Sequence, residues 1–229
     1  MRNNIKIGIG FLTVLATPFV IGEVSGKVSS MIHSPVSGKV IDIVNSLIAN
    51  GREVRTVVIR NDFQYKEIET EKRKIEEVGR FRRDELLEII KQAGIVGEGG
   101  AQFPTYVKYD IGYKKIDTFI LNGAECEPYL TADYTIMSNY MEDLLGGIKI
   151  IEKLIRPREI IIGIEEENMD IAEHIANILK ERRMFNIKVH VLPTAYPQGS
   201  ELQLIRSVTG KEIKKGEIPV SYTHLSCRR

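Results

Sequence analysis

Two short blocks hold most of the residues that could do chemistry: Gly94-Ile-Val-Gly-Glu-Gly-Gly-Ala-Gln-Phe-Pro-Thr-Tyr-Val-Lys108, then Asn122-Gly-Ala-Glu-Cys-Glu-Pro128. The first crowds Gly97, Gly99 and Gly100 ahead of Pro104, so main-chain N–H groups can turn toward a ligand without a Cβ in the way. Pro104 suits the first turn of a helix, where its missing N–H costs nothing. A loop opening into a helix N-terminus attracts anions, and Lys108 lies about one turn further on. This is phosphate-cradling chemistry, yet the spacing is neither that of a Walker loop nor of G-x-G-x-x-G. In the second block Glu125 and Glu127 alternate about Cys126, sharing one face if the segment is extended. Ionised carboxylates only accept hydrogen bonds, so they suit sugar hydroxyls better than phosphate. With no histidine close in sequence, Cys126 reads as a small buried residue rather than a nucleophile. His33, His174 and His190 fall in strand or helix patterns and read as structural.

The elements that must position these groups need a chain of adequate size. The 229 residues suffice for one large domain or two small ones. Lys and Arg total 32 against 31 Asp and Glu, so there is no broad basic footprint for nucleic acid. Cys126 and Cys227 are the two cysteines, far apart and without C-x-x-C spacing, which argues against a disulfide framework and for a reducing compartment. No Cys/His cluster has metal-ligand spacing. The segment from Met1 to Ile21 imitates a secretory leader, but it is short for a membrane span and rich in Gly and Pro. Buried strands of a small β-domain are the expectation there.

Between about Val24 and Arg60, turn signals alternate with β-branched runs, and 40–44 and 56–60 are expected as short strands. Residues 66–83 are mostly charged and are expected to form a linker or solvated helix at a domain boundary. Asp84 is expected to cap a helix that Gly94 ends. Thereafter buried strands at 118–121, 159–163 and 187–192 alternate with helical patterns through 141–154, 171–182 and 202–208. The Gly146-Gly147 pair should weaken the first of these. Such alternation implies βαβ units, a parallel sheet, and ligands outside the carboxyl ends of its strands.

Together the blocks resemble the RnfC subunit of the Rnf electron transport complex and, more distantly, the flavin-binding subunit of respiratory complex I. The resemblance rests on Gly97-Glu-Gly-Gly-Ala-Gln-Phe-Pro-Thr105 with Lys108, on Asn122 through Asp133, and on Tyr196-Pro-Gln-Gly-Ser-Glu201. It implies a small N-terminal β hybrid-barrel domain of the biotinyl/lipoyl-like type (1–65) and a charged linker (66–83). An FMN- and NADH-binding α/β domain with a mostly parallel sheet would follow (84–219). Gly97, Gly99, Gly100 and Lys108 would line the flavin phosphate. Asn122, Glu125, Glu127, Gly199 and Glu201 would contact the flavin or the nicotinamide ribose. No catalytic acid–base residue is implied, because the cofactor carries hydride chemistry.

Electrons would pass to two 4Fe-4S clusters, whose cysteine-rich segment does not occur in this sequence, and on to partner subunits of a membrane complex at the cytoplasmic face. The chain itself would lack a membrane span. Gln102 stands where the family has glycine, and Glu98 where it has an apolar or basic residue. Residues 220–229 leave the family pattern and are expected to be a non-native tail resembling a translated transposon end. The 35–38 turn lacks the lysine of true carrier domains. A non-redox scaffold that docks partner subunits is the competing expectation, and a carrier-type β-domain fused to another nucleotide-binding enzyme is a third.

Overall fold

A computed structural model describes residues 4–8, 20–23, 29–49, 51–67, 74–97, 102–112, 114–125, 129–212 and 223–224. The chain divides into two compact units. One takes the described residues up to Glu77 together with Phe81–Val107, and the other takes Val78–Arg80 and the residues from Lys108 onward.

The first unit is built on antiparallel strands. The β-branched run at 56–59 forms the buried middle of β5 (Glu53–Asn61), which pairs on one side with β1 (Asn4–Gly8) and on the other with β4 (Gly38–Leu47). β2 (Val20–Glu23) and β3 (Met31–His33) make a separate antiparallel pair. β4 is twice as long as the 40–44 strand expected from sequence and carries a register shift between Val40 and Asp42.

Helix α1 (Arg83–Gln92) belongs to this unit too. Asp84 does not cap it. The carboxylate of Glu85 instead accepts the Arg82 N–H at 2.7 Å, one residue outside the helix, and Asp84 sits in the first turn. Gly94 ends the helix in the left-handed region at φ +66°, and a Cβ there would lie 2.5 Å from the Met31 carbonyl oxygen. This close approach, with the Ser29 N–H donating to the Tyr106 hydroxyl at 3.3 Å, ties the glycine segment to the β-unit. The division by contacts therefore falls between Val107 and Lys108, inside α2 (Thr105–Tyr109), whereas the charged run 66–83 was the expected boundary.

The second unit is α/β. Its sheet has the order β8-β7-β6-β9, with β6 (Thr118–Gly123), β7 (Glu159–Glu165), β8 (Ile187–Leu192) and β9 (Thr223–His224), and every pairing is parallel. β6 and β7 are buried at all but their first residues, as expected for strands covered on both faces. β9 lies within the segment expected to be a foreign tail and pairs with Leu121 and Asn122.

Helices α3 (Ala132–Asn139), α4 (Met141–Ile155), α5 (Met169–Glu181) and α6 (Glu201–Thr209) accompany the sheet. Gly146 and Gly147 do not interrupt α4. Leu144, Leu145 and Ile148 are buried around them, and burial of about 1.5–3 kcal/mol per large apolar side chain outweighs about 1 kcal/mol per glycine.

Candidate functional site

In the first unit the glycine segment is closed by a short antiparallel bridge. Val96 pairs with Pro104, the Gly97 N–H donates to the Phe103 carbonyl at 2.9 Å, and the Thr105 N–H donates to the Ile95 carbonyl at 3.0 Å. That Gly97 donor holds the neck of the loop. Glu98, Gly99 and Gly100 fall outside the described residues. Gln102, where glycine was expected, has φ +45°, a left-handed conformation that costs an L-residue about 1 kcal/mol. Pro104 directly precedes α2, as expected, but that helix has only five residues, so its dipole is small. Lys108 lies in its last turn, half-buried.

In the second unit the carboxyl ends of β6, β7 and β8 bring several of the expected residues together. Asn122, near the end of β6, is fully buried. Its Nδ2 donates to the Gly199 carbonyl at 2.9 Å, and its Oδ1 accepts the Ala124 N–H at 3.1 Å. The side chain thus clamps the turn before α6 to the end of β6. Gln198, buried in the same turn, donates to the Ser207 hydroxyl at 3.0 Å and fastens the turn to α6. Glu201 is the first residue of α6, where a negative charge is favoured by the helix dipole. Ile120, Ala124, Leu192 and Leu204 form the apolar floor under these loops.

Glu125 is half-buried, and its Oε1 accepts the Asp133 N–H at 2.9 Å. Glu127 and Cys126 fall outside the described residues. Two carboxyls to which the sequence reading assigned no role lie in the same region. Asp133, at the start of α3, is 6% exposed, and Glu165, at the end of β7, is 1% exposed. Asp133 Oδ1 and Glu165 Oε2 are buried without a hydrogen-bond partner. Burial, then the charge of Glu125, pushes the Asp133 carboxyl up to about 7. Burial, then Glu167 and Glu125, pushes Glu165 up to about 7 as well. A signal for Glu165 was present in the sequence: it is the first carboxylate after a run of four isoleucines and a glycine, at the strand end where such sheets take ligands. Among the described residues no group of three or more His, Cys, Asp or Glu is arranged to hold a metal ion.

Both units have recognisable relatives. Residues 90–227 match the family described as the Nuo51 FMN-binding domain, and residues 15–64 match the RnfC barrel sandwich hybrid domain. The C subunit of the Na(+)-translocating ferredoxin:NAD(+) oxidoreductase complex of Acetobacterium woodii is 39% identical over 203 residues, covering 87% of this chain and 44% of that protein. Its counterpart in the proton-translocating ferredoxin:NAD(+) oxidoreductase complex of Clostridium ljungdahlii is 37% identical over 203 residues, covering 87% and 43%. The corresponding subunit of the ion-translocating oxidoreductase complex of Vibrio cholerae is 36% identical over 190 residues, covering 82% and 24%.

The chain thus spans between a quarter and somewhat under half the length of these relatives. Among solved structures, an NAD+-reducing [NiFe]-hydrogenase in the air-oxidized state superposes with a TM-score of 0.52 at 25% identity, over 61% of this chain and 26% of that one. An N-terminal RnfC hybrid domain joined to a complex I-type flavoprotein domain with a parallel sheet places this chain in the RnfC family.

Proposed function

We propose that the chain is the nucleotide-binding part of an electron-input subunit, in which FMN accepts hydride from NADH and passes electrons on, toward or from ferredoxin, within an ion-translocating membrane complex. The observation that carries this reading is the set of acceptors at the carboxyl ends of β6 and β7 in a chain that matches an FMN-binding family over residues 90–227. Bound FMN would supply the hydride-accepting and one-electron chemistry, so the protein need only bind, orient and shield.

The residues present fit such a group. Lys108 gives a cation for a phosphate, and the main-chain amides of Gly99 and Gly100 are the donors assigned to the same anion. Glu125, Glu127 and Glu201 are acceptors for flavin or nicotinamide-ribose hydroxyls. Gly97 would line the flavin phosphate, and Asn122 and Gly199 would contact the flavin or the nicotinamide ribose, while their own hydrogen bonds close the glycine loop and join the β6 end to the turn before α6. Iron–sulfur clusters would be held by parts of the longer family members that do not align with this chain.

Partner subunits would bring the protein to the cytoplasmic face of the membrane. Among the described residues no helix is long and apolar enough to cross one.

The test is to purify the 229-residue chain, add FMN, remove the excess, and record the visible spectrum anaerobically before and after NADH. Retained flavin that bleaches supports the reading. Absence of retained flavin favours the non-redox scaffold instead. Lys108→Ala is expected to weaken FMN retention several-fold, and unchanged retention removes Lys108 from the phosphate role.

A further inference from the structure

The turn between β8 and α6 passes from exposed to buried within one residue. Ala195, Tyr196 and Pro197 are exposed, whereas Gln198 and Gly199 directly after them are buried. The Gln198 N–H donates to the Ala195 carbonyl at 2.6 Å, and the Ser200 N–H donates to the Pro197 carbonyl at 2.9 Å, so the turn is bonded to itself. Two side-chain bonds then tie it to its neighbours. Asn122 Nδ2 donates to the Gly199 carbonyl at 2.9 Å and joins the turn to β6. Gln198 Nε2 donates to the half-buried Ser207 hydroxyl at 3.0 Å and joins it to the second turn of α6.

The helix has a seat of its own. Leu204 is fully buried, and a Cβ on Gly163 in β7 would stand 3.1 Å from its Cδ1 and 3.0 Å from the Leu192 Cδ1. The missing Cβ lets α6 sit close on the sheet. The Leu204 N–H donates to the Ser200 carbonyl at 2.8 Å, which links this seat back to the turn.

We propose that Ser207 is a positioning residue of the nucleotide site: through Gln198 it fixes the 195–200 turn, and with it Gly199 and Glu201, at the carboxyl ends of β6 and β7. This role rests on the nucleotide-binding reading above and deepens it. With Asn122 alone, the turn would be side-chain-anchored at one point and could pivot about it. The second anchor fixes orientation as well as place, which is what a binding group needs from the residues behind it.

The two partners of the Gln198–Ser207 bond allow positioning to be separated from stability. Alanine at 207 strips a buried amide of its acceptor, which costs stability. Replacing both partners by apolar groups of similar shape removes that cost and leaves the tether broken.

The experiment titrates the full 229-residue chain with FMN, following flavin fluorescence, and measures urea midpoints on the same proteins. Ser207→Ala is expected to bind FMN about fivefold to tenfold more weakly than wild type and to unfold at lower urea. Ser207→Thr keeps the hydroxyl and should restore both. Gln198→Met combined with Ser207→Ala should recover the urea midpoint and keep the loss of affinity, a split that a purely structural bond would not give.

A Ser207→Ala chain that binds FMN as tightly as wild type overturns the proposal. So does a double variant that regains affinity together with stability, or a Ser207→Thr chain that binds as weakly as Ser207→Ala. A wild-type chain that binds no FMN overturns the nucleotide-binding reading itself, and this role with it. If Ser207→Ala does not fold, the double variant carries the test and must bind FMN about fivefold to tenfold more weakly than wild type for the proposal to stand.

Discussion

Asn122 offers the sharpest check on how the sheet end is held together. Replacing it with alanine removes the donor to the Gly199 carbonyl and the acceptor for the Ala124 N–H, both in buried surroundings. Each buried polar group stripped of a partner costs about 1–3 kcal/mol, so the pair should cost about 3 kcal/mol after partial relaxation. For a chain of this size that corresponds to a fall of roughly 6–12 °C in Tm.

Asn122→Asp is the informative companion. Ionised aspartate still accepts from Ala124 but has no proton for Gly199, and it adds a buried charge. Burial raises its native pKa above the unfolded value of about 3.9. Its stability relative to wild type is therefore best below about pH 4 and is lost as pH rises through the native pKa. Urea unfolding followed by circular dichroism from about pH 4 to 8 measures both effects. A loss below about 1 kcal/mol for the alanine variant, or an aspartate variant as stable as wild type at the alkaline end, refutes the clamp.

Other outcomes follow from the same geometry. Asp133 and Glu165 hold protons that the unfolded chain has already released, so between about pH 4 and 7 folding takes up protons and stability falls as pH rises. Glu165→Gln should accordingly be more stable than wild type near pH 8 and no more stable near pH 4, as read from urea midpoints. Gly94→Ala combines φ +66° with a Cβ 2.5 Å from the Met31 carbonyl oxygen, and should destabilise the first unit by at least about 2 kcal/mol in thermal unfolding. Gln102→Gly relieves a left-handed residue at φ +45° and should leave stability unchanged or raise it by up to about 1 kcal/mol; a marked loss would mean the Gln side chain secures the loop.

Much of the α/β unit was legible because its signals are local. The strand expected at 187–192 forms with those bounds, and those at 118–121 and 159–163 extend by only two residues, because β-branched runs bounded by turns leave few alternatives. The helix expected at 171–182 is present at Met169–Glu181 for the same reason, a clean apolar stripe. Where two effects competed, the sequence misled. Gly146-Gly147 lowers propensity, but burial of the flanking leucines and Ile148 prevails. Asp84 is a good capping residue by type, yet the Glu85 side chain reaches back first. The charged run 66–83 lies between the two family matches, at 15–64 and 90–227, and Gly94 against Met31 and Tyr106 on Ser29 pack α1 and the glycine segment with the β-unit.

Family membership, the parallel sheet and the presence of carboxylates near its strand ends are properties of residue order alone, since motifs and periodicities act over a few neighbours. What each polar group does was decided only by folding. Asn122 and Gly97 carry the motif, and folding sets hydrogen bonds of theirs on Gly199, Ala124 and Phe103. Asp133 and Glu165 are raised in pKa because strands and helices distant in sequence bury them, with the charge of Glu125 adding to the effect. Burial and partner geometry are collective quantities: they depend on residues far along the chain, as Asn122 depends on Gly199, and no local pattern encodes them.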